Sequence, residues 1–507
     1  MNTRTALAER LKNILLVVLV LSTILLLYFL WNDNASAGFR IPGAGAGNAE
    51  TIPVEDVLYP ERVIVNFGAE NYTVTSETAS LWYGAEGSDE PAFMRAMQTF
   101  LASDNIAVGA ISKEDFLDVM RARSIRADFS FAIPAAEFCS AFELPRPAAI
   151  NSIDVFTGVA YSEASPESLL LCDGFGDRYY RLAVDGDAGF KDIIAFVETA
   201  ENASYYPLRT FSGVENDTML PLEASGTLTA LPYARNIDPS DEDDAERLRD
   251  MTRTFFGKSF DFTRKITEGN GTIVYMYGYG EKVLVINRDG SFEYSAAEAG
   301  RGGTADFFGA LTTALSFVAS HGEPEGRATA QKRIYLKDAR SSVSDGQRTY
   351  GFSFGLKLDG HTVHYADSEP LTVEVTGRAV RYYKRDMIDA PAREQSGETP
   401  AGAAFAPFDL LTEHFARIYG ALLEKGLAAP LENVSDDERV FERVAEMVTG
   451  LSSGLLRPAE TLSRDGFTVQ SAFADERNLL PVWVLSVGGV DFYFDFYTGA
   501  PAGYYGE

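Results

Sequence analysis

The stretch Ile14–Trp31 (ILLVVLVLSTILLLYFLW) runs for 18 residues without a charge. As a helix rising about 1.5 Å per residue it would span roughly 27 Å, the hydrocarbon thickness of a bilayer. Tyr28 and Trp31 sit at its far end, where amphipathic rings favour the headgroup level. Arg4, Arg10 and Lys12 precede the run against a single Glu9, whereas Asp33, Arg40 and Glu50 come after it. Positive charge stays inside. The pattern predicts a cytoplasmic tail over 1–13, a single-pass helix over 14–31 and an extracytoplasmic remainder held at the cell membrane. Ala35-Ser36-Ala37 resembles a signal-peptide cleavage site, but the run is longer than the usual apolar region of about 7–15 residues, which favours an uncleaved anchor.

The remainder of the chain must fold into more than one core. The protein has 507 residues, 46% hydrophobic and 12% aromatic, enough apolar surface for two to four domains and too much for a disordered stalk. The formal net charge of −29 argues against nucleic acid and against a basic surface that would bind anionic lipid or other polyanions. Cysteine is scarce. Cys139 and Cys172 could form one disulfide in an oxidising exterior or remain two buried thiols, and no CxxC motif suggests redox chemistry.

Residues 32–52 are a Gly/Ala linker. Residues 53–202 read as an α+β domain, with a strand at 62–67, helices around Phe93–Leu101 and Phe116–Met120, a strand meander over 153–184 and a helix at 190–198. A connecting segment, 203–300, opens on a helix that Ser240 would cap, with Asp241, Glu242, Asp243 and Asp244 in its first turn. Capping explains these acids better than a calcium loop, because EF-hand spacing is missing. Antiparallel hairpins come next. Two helix-plus-antiparallel-sheet modules are then expected, 301–383 and 405–507, joined by a linker over 384–404. Thr304 would cap the first module's helix. In the second, a helix running to Leu451 would precede strands at 467–473, 482–487 and 491–496. The fold class is α+β behind an N-terminal transmembrane helix.

Chemistry is sparse in this sequence. His361 and His364 could form a metal pair, but no third ligand is evident and a polar strand edge accounts for them better. His321 lies where a helix ends. Tyr277-Gly278-Tyr279-Gly280 falls on a hairpin, unsuited to phosphate, and Arg301-Gly302-Gly303 reads as a flexible join. No triad, H-E-x-x-H or Walker motif is present. The expectation is therefore no catalytic residue, no metal and no cofactor. Ser22 and Thr23 are the hydroxyl side chains of the apolar run and its candidates for contact with another helix.

The basic tail and single helix, the helix Phe307–Ser320 ending in His321-Gly322, and the stretch Phe352–Tyr383 (with LDGHTVHY and VRYYKR) together resemble the YycH/YycI family. The closing LLPVWVL…FYFDFYTGAP is similar to YycI-type and PepSY-like modules. The resemblance implies a non-enzymatic accessory regulator of the WalK sensor histidine kinase in Gram-positive bacteria. Its partners would be that kinase and a related YycH/YycI-type protein, in a homo- or hetero-oligomer. The PepSY-like close offers a second expectation, an anchored cell-envelope binding module or peptidase inhibitor.

Overall fold

The computed structural model describes residues 51–506 apart from 76–77, 86, 225–226, 236, 298–304, 322–330, 345, 366–367, 391–402, 432–436 and 459–477. The predicted membrane span Ile14–Trp31, with Ser22 and Thr23, lies outside the described residues. Among those described, no helix is long and apolar enough to cross a membrane. Residues Glu50–Glu507 form one compact unit of mixed α+β structure, with two large sheets and ten α-helices among the described residues.

The first sheet contains β1 (Arg62–Asn66), β2 (Tyr72–Thr75), β3 (Ala107–Ile111), β4 (Ser124–Pro134), β5 (Val155–Ser162), β6 (Ser168–Asp173), β7 (Arg178–Ala183), β8 (Tyr205–Pro207) and β9 (Met219–Pro221). Their order is β3-β7-β6-β5-β4-β1-β2-β8-β9. Strand β4 is specified by strict alternation: Ile125, Ala127, Phe129, Phe131 and Ile133 are buried, and the residues between them are half-buried. By contrast, β6 is buried throughout, because both of its faces are covered. Leu169 and Leu171 join the main core, while Leu170 and Cys172 meet Phe116 of the helix Lys113–Met120 on the other side.

The second sheet begins at β10 (Leu231–Pro232). After β11 (Ala234–Arg235) come β12 (Arg264–Thr267), β13 (Ile273–Tyr277), β14 (Lys282–Ile286), β15 (Phe292–Ala296), β16 (Lys332–Ser344), β17 (Gln347–Leu358), β18 (His361–Tyr365), β19 (Leu371–Thr376) and β20 (Ala379–Arg385). The chain continues through β21 (Ile388–Asp389), β22 (Val448–Arg457), β23 (Asn478–Val487), β24 (Val490–Asp495) and β25 (Pro501–Tyr505). The main path runs β12-β13-β14-β15-β20-β19-β17-β18-β22-β23-β24-β25, with β16 on β17 and β10 on β23; β11 and β21 pair separately.

This continuity does not respect the expected segment boundaries. β15 of the connecting segment pairs with β20, and β18 pairs with β22 across residues 384–404. Separate modules would have left strand edges with unpaired backbone groups, and joining them removes those edges. Three local expectations also change. The helix Ala245–Phe256 starts after Asp244, and Ser240 bonds Asp238 instead of capping it. Asp306, not Thr304, caps the helix Phe307–Ser320, accepting from the Gly309 N–H at 2.7 Å. The helix Asp437–Met447 stops short of Leu451, because Val448 and Leu451 belong to β22. The expected strand 467–473 lies outside the described residues.

The helix Phe307–Ser320 joins the two sheets. Phe307, Phe308, Ala310, Leu311, Ala314, Leu315 and Val318 are all buried. Its own sheet covers one side, with Phe352 at 5.6 Å from Phe307. From the first sheet's domain, Phe131 lies 6.5 Å from Phe307, and Phe142 lies 5.8 Å from Phe308. Glu137 crosses the same boundary to accept the Phe307 N–H at 2.8 Å. It satisfies a donor that a helix start otherwise leaves unpaired. Replacing Glu137 with Ala is expected to cost about 1 kcal/mol, the scale of a lost helix cap. Urea unfolding should show a lower midpoint at unchanged slope, and Glu137→Gln, which keeps an acceptor, should recover most of the loss.

Candidate functional site

The two halves of the larger sheet meet at one short seam. β18 lies parallel to β22 over three registered pairs, Val363↔Leu455, His364↔Leu456 and Tyr365↔Arg457, whereas the other ladders of this sheet are antiparallel. The seam exists because β17 is long enough to serve two neighbours: Thr349–Phe354 pairs with β19, and Leu356–Leu358 pairs with β18. Gly454 allows the close approach. A Cβ there would lie 2.6 Å from the Thr362 carbonyl and 2.7 Å from His364 Nε2.

Charged groups gather around this seam. Arg457, at the end of β22, forms an ion pair with Asp386, and both side chains are only 8% exposed. The Arg457 guanidinium also lies 4.9 Å from the Tyr365 ring centroid. Lys337 on β16 donates to Glu369 at 2.7 Å. Burial pulls the Lys337 ammonium down, but Glu369, with Asp491 and Glu61 further off, holds it above its ordinary value. His364 is pushed down to about 3, first by burial and then by the Lys337 charge. Its Nε2 is shut from solvent and makes no hydrogen bond.

Beside the seam lies a cleft of about 890 Å³ between the first turn of the body and the β16–β17 hairpin. Glu55, Asp56 and Asp359 supply acid to its walls; Lys332, Arg333 and Lys357 supply base. The amines are already engaged. Lys332 donates to Asp389 at 2.6 Å, and Lys357 sits over the rings of Tyr59 and Tyr335 at 5.9 and 5.7 Å. The cleft is thus lined by both signs of charge, with Tyr59 among the lining residues.

The histidines read from the sequence do not converge. His321 places Nδ1 2.8 Å from the Phe317 carbonyl and Nε2 3.2 Å from the Thr254 carbonyl, each an acceptor for a ring N–H, and stacks on Phe317. His414 reaches Gly499 O at 2.9 Å and stacks on Phe494. Burial lowers both. Among the described residues, no group of three His, Cys, Asp or Glu side chains is placed to hold a metal ion. Cys139 and Cys172 are both free and buried. Cys172 faces away from the core cluster that holds Cys139, on the opposite side of β6. Burial pushes their thiols up to about 11 for Cys139 and about 12 for Cys172, so neither is a ready nucleophile. Arg301-Gly302-Gly303 lies outside the described residues.

Sequence reasoning singled out His364 but missed Arg457, Asp386, Lys337 and Glu369. Arg457 ends an apolar strand and Lys337 lies within one, but Asp386 and Glu369 fall outside the strands, and pairing across 71 and 32 residues has no local signature.

The fold and this seam define a mixed α+β protein whose two sheets share one body. No family model matches the chain, and no curated protein matches it. Among solved structures it is similar to YycH from Bacillus subtilis, at 12% identity and a TM-score of 0.47, over 89% of this chain and 97% of that one. It is also similar to an uncharacterized protein from Eubacterium rectale, at 12% identity and a TM-score of 0.32, over 54% of this chain and 85% of that one.

The buried groups give two expectations. His364 is neutral in the fold but would take up a proton in the unfolded chain below pH 6.5. Stability is therefore lost as pH falls from 6.5 towards 3, by about 2 kcal/mol between pH 6.5 and 5. Denaturant midpoints at pH 7 and pH 5 should differ less in His364→Gln than in the parent. Arg457→Met strands the Asp386 carboxylate and is expected to cost about 3–5 kcal/mol, with part recovered in Arg457→Met/Asp386→Leu.

Proposed function

We propose that this chain is a non-enzymatic regulator anchored in the cell membrane by Ile14–Trp31, with its bulk outside. It acts by protein–protein contact on a sensor histidine kinase. The observation that carries this reading is the packing of the two stretches in which the YycH/YycI resemblance resides. The helix Phe307–Ser320 lies on β17, β19 and β20, so the residues from Phe307 to Tyr383 act as one unit and not as scattered likenesses.

In this reading the regulator acts on a partner that crosses the membrane, through its outer body, its helix or both. The cleft of mixed charge beside the seam is a suitable outer contact. Ser22 and Thr23 are the polar groups through which the helix could pack on another.

The test is a membrane pull-down of the full chain beside a variant in which an unrelated spanning helix replaces Ile14–Trp31. The kinase should be recovered with the parent and more weakly with the swap. Recovery without any sensor kinase would sink the proposal. Unchanged recovery with the swap would confine the contact to the outer body.

A further inference from the structure

The outer edge of the larger sheet carries an arrangement that neither the core nor the seam uses. β12 is the end strand, and all four of its residues are exposed. At one end of this edge two rings project into solvent: Phe262, 79% exposed, and Tyr279, fully exposed. The ladder pairs Arg264 with Met276. At that end of the pair β12 is entered from the 3-10 turn Gly257–Phe262 and β13 leaves into the turn Gly278–Gly280, so both rings stand on turns at the same corner.

The backbone of that turn is built to hold the ring outward. Tyr279 sits at φ +56°, between Gly278 at +60° and Gly280 at +98°. A tyrosine in the left-handed region is uncommon and costs free energy. Here that conformation keeps a large ring in water. Lys258, Arg264 and Lys265 are exposed around the rings and form no ion pair among the described residues; Lys265 lies over the Tyr275 ring at 5.7 Å. Asp261 and Glu281 are the acids of this corner, and Lys282 comes next to them. In a chain of net charge −29, cations without a carboxylate partner beside bare aromatic rings are a local reversal of the overall balance.

We infer that this corner rests on an anionic lipid surface, with Phe262 and Tyr279 at headgroup depth and Lys258, Arg264 and Lys265 against lipid phosphates. Aromatic rings favour that depth, and each basic residue near such a surface contributes attraction. Strand addition by another protein fits less well. The rings stand on the turns beyond β12 and not along it, and Arg264 and Lys265 on the strand itself are the charges that guard an edge against pairing. The inference rests on the membrane-anchored reading for its setting.

The test dispenses with the predicted anchor, so that its failure and the anchor's failure are separable. Residues 50–507, a compact unit holding every apolar cluster of the described residues, are tethered by an N-terminal histidine tag to vesicles bearing a nickel-chelating lipid. Tyr279→Cys carries a polarity-sensitive dye, and the buried Cys139 and Cys172 stay unlabelled. With phosphatidylglycerol present, the dye emission should shift to the blue and be quenched by brominated acyl chains. Both effects should vanish in K258E/R264E/K265E. A dye at Phe175→Cys, on an exposed turn of the first sheet, should not respond. Three results would overturn the inference: a dye at 279 that stays in water on anionic vesicles, an equal response from 175, or a response retained after charge reversal. A shift produced by a protein partner without lipid would assign the corner to protein contact instead.

Discussion

The helix Phe307–Ser320 is the element on which the rest of the body depends, because it is apolar around most of its circumference. A helix of that character must be covered on more than one side, and neither sheet can do it alone. β17, β19 and β20 cover one flank, and the aromatic residues of the first sheet and the helix Ala135–Ala141 cover another. The result is a single apolar cluster running from Val57 to Tyr383. Its far end is closed in the same way: His321 stacks on Phe317 and reaches the Thr254 carbonyl, tying in the helix Ala245–Phe256. Continuity of packing, and not a covalent link, makes the two sheets one unit.

A second tie runs through the C-terminal half. Leu208, Leu220 and Leu228 leave the first sheet's neighbourhood to join Leu410, Ile418, Trp483 and Phe494 in another cluster. Asn216 reinforces it by donating to the Ala445 and Val448 carbonyls at 2.8 and 2.9 Å. The first sheet therefore grips the larger sheet on both sides of the β18–β22 seam. A three-pair parallel ladder would be a weak joint by itself, and the two grips hold the halves together around it. That arrangement lets the seam carry a buried ion pair and an unbonded imidazole, groups that add little net stability but confine the strands to one register.

Much of the secondary structure was legible because period and punctuation agreed. Phe93–Leu101, Lys191–Glu198 and Leu371–Thr376 have clear apolar spacing and clean ends, and their bounds in the structure differ little from those read in the sequence. β4 was overlooked although its alternation is strict, because Arg126 and Asp128 interrupt the apolar residues. The structure shows why they are allowed there. Each is the other's partner, with Arg62 as a third member. Burial opposes charge on both, yet pairing raises Arg126 and lowers Asp128. The sheet order was less accessible. Nothing local in residues 292–296 says that they will pair with 382–385, or that 363–365 will lie beside 455–457. Such pairings are chosen by which edges remain open once the helices have found cover.

The seam and the exposed corner illustrate opposite limits of a residue pattern. In LDGHTVHY, two histidines three apart suggest a shared role, but the hairpin assigns them different surroundings, and only His364 is drawn beneath the Gly454 backbone. In YMYGYGEK, aromatic and glycine residues alternate along a hairpin, and the rings part ways. Tyr275 does go inward, at 7% exposure. Tyr279 differs because it lies within the turn, between two glycines whose positive φ sets its direction. A side chain's burial depends on the backbone's path as much as on its apolar character, and that path is fixed by the turn. In this body, where the turns lie decides which ordinary residues reach the surface.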